Sequence, residues 1–136
     1  MFRTALTLLL GVASSCQLCT LKSCRSGVEV ALAGSELATL NEGPSVIRLC
    51  IDAACTEETV NFPGSVGAEA FLLDGSLLRV WPTETKEFDK AAVTLTISRE
   101  GTEHFTRTWQ DVKFATQFPN GPDCGGVCRV ATVDAS

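Results

Sequence analysis

Tyrosine is absent from the 136 residues, and histidine and methionine occur once each. A single histidine removes most of the material for Ser/His or Cys/His catalysis, which needs a nucleophile and a carboxylate placed around the imidazole. That histidine, His104, stands in the polar segment 101–106 and is expected to be an exposed strand residue. Positive charge is also scarce: eleven Lys and Arg against sixteen Asp and Glu leave a net charge of -5. Nucleic-acid binding depends on clustered cations that neutralise phosphates, so nucleic acid is not an expected partner. No stretch approaches the ~20 apolar residues that cross a bilayer as a helix. Asp52, Glu57 and Glu58 do not fall into an Asp-x-Asp-x-Asp-Gly calcium loop, and no Gly-rich phosphate loop follows a strand. The expectation is a chain with no catalytic residue, no metal and no cofactor, and hence a non-enzyme.

What is present begins at the N-terminus. Met1-Phe2-Arg3 supplies one positive charge, 5–13 is a short and largely apolar segment, and Ala13-Ser14-Ser15 is a trio of small residues before Cys16. A charged start, a short apolar core and small residues at a cut site fit a secretory signal peptide over 1–15. The ending Val12-Ala13-Ser14-Ser15-Cys16 resembles the lipobox of bacterial lipoprotein signals, with Ala13 where Leu is more usual. The resemblance implies that the Cys16 thiol receives a diacylglyceryl group and becomes the first residue after cleavage. The partner it implies is a membrane, held through the N-terminal lipid, and the location is extracytoplasmic. Without the lipid the protein would be secreted.

There are seven cysteines, at 16, 19, 24, 50, 55, 124 and 128, and an odd thiol is awkward in an oxidising compartment. With Cys16 lipidated, six remain, which fall into three local pairs, Cys19/Cys24, Cys50/Cys55 and Cys124/Cys128; the competing arrangement joins Cys24 to Cys128 and ties the first strand to the last. The local spacings are C-x4-C and C-x3-C, which suit disulfides better than the thiolate spacing of a zinc or thioredoxin-like site. Removing 1–15 leaves about 120 residues, one domain's worth. Residues 16–26 read as a polar tether and 27–136 as the domain.

Along that domain, short alternating runs are separated by turn residues. Strands are expected at 27–32, 45–50, 55–62, 68–73, 77–81, 92–98, 103–114 and 129–133, with 35–40 as one helical turn. Residues 51–54 would connect a hairpin that sets Cys50 against Cys55, and Asp74-Gly75-Ser76 marks a second hairpin. Phe105, Arg107 and Trp109 fall on one face of their strand. Seven or so short strands with little helix predict an all-β sandwich of immunoglobulin-like or fibronectin-like type, with an open barrel as the alternative. A true immunoglobulin domain is excluded: the tyrosine corner cannot form without Tyr, and no Trp follows Cys50 at the usual distance. The strand order stays open.

The C-terminal half resembles small lipoproteins of actinobacteria and their relatives, through Val93-Thr-Leu-Thr-Ile97, then Pro119-Asn-Gly-Pro-Asp-Cys124 and Cys128 before a last strand. The likeness covers about a third of the chain and implies an address without an activity. Phe62, Trp81, Trp109 and Phe118 are either the core's largest fillers or, at strand ends beside proline, a contact surface. The functional expectation is a membrane-anchored binding or structural module for a protein or envelope polymer. The alternative is a small secreted hydrolase or inhibitor acting through the loop 118–126.

Overall fold

The computed structural model describes residues 25–62, 69–82, 88–118 and 127–135. Among them are β1 (Gly27–Ala31), α1 (Gly34–Asn41), β2 (Ser45–Ile51), β3 (Ala54–Val60), β4 (Phe71–Asp74), β5 (Leu77–Val80), β6 (Lys90–Arg99), β7 (Thr102–Lys113), β8 (Ala115–Gln117) and β9 (Cys128–Asp134).

Alternation builds these strands. In β6, Ala91, Val93, Leu95 and Ile97 are buried, while Ala92, Thr94, Thr96 and Ser98 between them are half-buried. Branched side chains suit such a pleated, one-sided surface. β2 buries Ile47, Leu49 and Ile51 in the same rhythm. Register then sets Ile47 opposite Ile97, Leu49 opposite Leu95 and Ile51 opposite Val93, so both apolar rows share a face. On the reverse face the hydroxyls of Thr94 and Thr108 are hydrogen-bonded at 2.9 Å, and those of Thr96 and Thr106 at 3.2 Å.

The strands form two sheets, ordered β4-β5-β1-β9-β8 and β3-β2-β6-β7. Val28, Val30, Phe71, Leu78, Val80, Ala131 and Val133 of the first join the β2 and β6 rows of the second in one core. Each fully buried Val, Leu, Ile or Phe contributes ~1.5–3 kcal/mol. The fold is the expected all-β sandwich. In the letters of the immunoglobulin sandwich, β4-β5-β1 repeats D-E-B and β3-β2-β6-β7 repeats C′-C-F-G, in the same chain order. All of these pairs are antiparallel, as that sandwich requires. The departure is beside B. Strand A holds that place in the immunoglobulin order, but here it belongs to β9, which runs parallel to β1.

Contacts divide the chain into two compact units, residues 1–25 with 116–128 and residues 26–115 with 129–136. The expected signal peptide and most of the expected tether lie outside the described residues. In the second unit, α1 carries the chain from one sheet to the other. It is an eight-residue helix, longer than the single turn expected. Its N-cap, Ala33, makes no side-chain cap, so packing has to hold it. Leu40 is fully buried, and Leu37 packs against the core.

Sheet edges expose unpaired backbone, which natural proteins protect. β4 and β8 do so by being short, at four and three residues. β7 is twelve residues long and uses other means. Its register with β6 shifts twice, between Ala91 and Val93 and between Ile97 and Ser98, and Asp111 takes φ 54° at the first shift. Bulges of this kind twist an edge away from a would-be partner strand. Between them Arg107 pairs with Leu95 and therefore faces the core side, its guanidinium 5.2 Å from the centre of the Trp109 ring.

Candidate functional site

The four aromatic candidates serve different ends. Phe62 is a core residue, 5% exposed. Trp109 is half-buried against the core, and its indole Nε1 donates to the Asp134 carbonyl at 3.0 Å. Trp81 is half-buried just after β5, where its backbone N–H donates to the Ala70 carbonyl at 2.8 Å. Beside it Gly27 lies so close to the Val80 carbonyl that a Cβ would stand 2.1 Å from the oxygen, which excludes any side chain there. Phe118, by contrast, is 45% exposed. Val127, 50% exposed, stands on the far side of 119–126. Those intervening residues lie outside the described ones, as does most of the loop proposed to carry an activity.

Of the expected disulfides, Cys50–Cys55 is present, joining residues paired across the β2–β3 hairpin with Cα atoms 4.0 Å apart. The turn is shorter than expected. Ile51 and Ala54 belong to the strands, and Asp52-Ala53 alone makes the bend. Asp52 adopts φ 51°, a left-handed conformation that Asp tolerates better than most residues. Two hydrogen bonds hold it to β6: its N–H donates to the Ala92 carbonyl at 2.8 Å, and its carboxylate accepts from the Ala92 N–H at 3.0 Å. Nothing in the local sequence announced this anchor, because its partner is forty residues away.

Cys128 is buried and disulfide-bonded, with its partner outside the described residues. Cys16, Cys19, Cys24 and Cys124 also lie outside them, and with them the expected pairs Cys19/Cys24 and Cys124/Cys128. Cys16 and Cys19 themselves stand at C-x-x-C spacing, which the pairing into three local bridges leaves out.

At the β6–β7 turn, Arg99, Glu100, Thr102 and His104 line an open cavity of about 410 Å³. Glu100 and Gly101 form the turn at φ 50° and 78°. His104 is exposed, as its polar surroundings imply. Arg99 is tied to Glu42 at 2.8 Å, and its guanidinium packs so near Gly43 that a Cβ there would meet Nη2 at 2.7 Å. The arginine thereby clamps the α1–β2 connection to the hairpin, a structural use of its charge. Among the described residues, no group of three His, Cys, Asp or Glu is placed to hold a metal ion.

No protein-family model, curated protein or solved structure matches this chain.

Proposed function

We propose that the chain is an extracytoplasmic lipoprotein, anchored through Cys16, whose β-sandwich serves as a binding or structural module for a protein or envelope polymer. The observation that carries this reading is the segment Val12-Ala13-Ser14-Ser15-Cys16 behind a charged and apolar start, with an odd cysteine count that a lipidated Cys16 makes even. Two acyl chains anchor stably where one is marginal, since each buried CH₂ contributes ~0.8 kcal/mol. The sandwich suits display, because its core is filled by its own side chains and its loop ends are free to vary. Exposed Phe118 and Val127 bracket the segment we assign to contact.

The same pair favours a second reading, a small secreted hydrolase or inhibitor acting through 118–126. An exposed aromatic at the edge of a loop that the expected Cys124–Cys128 bridge would close is a preorganised anchor, which lowers the ordering cost of binding. Fractionation of cells carrying Cys16→Ser tests the first reading. The variant is expected in the soluble fraction without the mass of the lipid. Retention in the membrane at unchanged mass would refute the anchor.

A further inference from the structure

We propose that Cys50–Cys55 is a dithiol–disulfide exchange site that opens and recloses on the folded protein, taking protein or small-molecule dithiols as its reaction partners. Three features carry it. First, the bridge is accessible. Cys50 and Cys55 occupy the face of their sheet opposite the core, with Cys50 half-buried and Cys55 exposed. Cys55 is on β3, the outermost strand of its sheet, so among the described residues no neighbouring strand covers its open side. A buried sulfur waits for unfolding before a thiolate reaches it, whereas an exposed one does not.

Second, the fold does not need the bridge to hold the two sulfurs together. β2 and β3 are paired along seven residues from Ser45↔Val60 to Ile51↔Ala54, and β2 is paired with β6 on its other side. The turn between the cysteines is pinned to β6 through the two Asp52–Ala92 hydrogen bonds. Opened, the thiols therefore stay opposite each other, and this proximity favours reclosure between the same two residues.

Third, the protein contains its own contrast. Cys128 is also disulfide-bonded but only 2% exposed, so a thiolate from solvent does not reach the Cys128 sulfur itself in the native state.

The chemistry balances with a dithiol as reductant. A thiolate attacks Cys55 Sγ, and the S–S bond breaks with its electron pair going to Cys50, which leaves as thiolate. The mixed disulfide at Cys55 is then attacked, at the reagent's sulfur, by the reagent's second thiolate. Cys55 thiolate is released, and the reagent closes to its own disulfide. Two electrons pass to the protein, and the two thiolates take up protons from solvent; reclosure runs the same steps in reverse, with the disulfide of the oxidised reagent taking the two electrons back and being released as thiols. Cys55 is the sulfur attacked because it is the more exposed, and Cys50 is the leaving group.

The test uses the full chain under native conditions, with dithiothreitol as the probe and isotope-coded alkylation read by peptide mass. Cys50 and Cys55 are expected to label together, at least about tenfold faster than Cys128, at a rate unchanged by a stabilising osmolyte. The β circular-dichroism spectrum and tryptophan emission should stay native. After reductant removal and addition of glutathione disulfide, Cys50–Cys55 should re-form without pairing to other cysteines. In the Cys50→Ser variant, a glutathione adduct should build up at Cys55 faster than it does at Cys50 in Cys55→Ser. Labelling of Cys50 and Cys55 only in step with Cys128, slowed equally by osmolyte, would overturn the proposal. So would loss of the native spectrum as the bridge opens.

Discussion

The indole Nε1 of Trp109 donates to the carbonyl oxygen of Asp134 at 3.0 Å, joining the edge strand of one sheet to the last strand of the other. A half-buried tryptophan has a polar end that needs a partner, and this one finds it across the sandwich. Trp109→Phe keeps most of the packing and loses the bond, so stability should fall by ~1 kcal/mol. Trp109→Ala should cost more, though less than the ~3–5 kcal/mol of a fully buried aromatic. Urea denaturation followed by circular dichroism measures both, and an unchanged stability in Trp109→Phe would dismiss the hydrogen bond as a contributor.

Asp52 combines a side-chain hydrogen bond with a left-handed backbone. Asp52→Ala loses the bond and strains the turn, for a combined cost of ~2 kcal/mol. Asp52→Asn retains an acceptor oxygen and tolerates the conformation, so it should stay within ~0.5 kcal/mol of the parent. Matching losses for the two would show that the carboxylate's negative charge, not its geometry, matters.

Phe62 and Phe118 separate core from contact. Phe62→Ala should destabilise by ~3–5 kcal/mol, the range for a buried aromatic. Phe118→Ala, on the surface, should change stability by no more than ~0.5 kcal/mol and reduce capture of the partner from envelope extracts. Unchanged capture would remove Phe118 from the proposed contact surface.

The double replacement Cys50→Ser with Cys55→Ser should lower stability by ~2 kcal/mol on the chain-entropy model, because the loop closed is so short. Its spectrum should remain native, since the β2–β3 pairing holds the hairpin. Thermal or urea unfolding measures the loss. Failure to fold would show that the bridge does more than its loop length allows.

Arg107 stands on the core side of an edge strand between two register shifts. Arg107→Val would leave Phe-Thr-Val-Thr-Trp, a run of high β-propensity without charge. Light scattering should then detect dimers or larger species at concentrations where the parent is monodisperse. Identical scattering would mean that the bulges alone protect the edge.

Local chemistry made much of this legible. Val93, Leu95 and Ile97 alternating with threonine spelled β6, Asp74-Gly75 marked the β4–β5 turn, and the spacing of Cys50 and Cys55 placed them across a hairpin. Features that depend on distant partners were not legible. Asp52 gains its role from Ala92, and Trp109 from Asp134. The three-residue β8 has too little pattern to show, and the helix at Gly34–Asn41 lacks a side-chain cap that would announce it. Phe62, Trp81, Trp109 and Phe118 look alike in sequence because each is a large apolar residue near a strand end or edge. Burial separates them, and burial is a property of the assembled sheets.

The parallel pairing of β1 with β9 has a consequence in time. Val28 meets Ala131, a contact about a hundred residues long in sequence, and such contacts form late and slow folding. The hairpins β2–β3, β4–β5 and β6–β7 close over short spans and can assemble while the end of the chain is still emerging. Until β9 arrives, β1 keeps an open edge where an immunoglobulin sandwich would already have its first strand. The sheet that β1 begins is therefore completed only when β9 is made, and a chain cut short before Cys128 leaves the edge of β1 open.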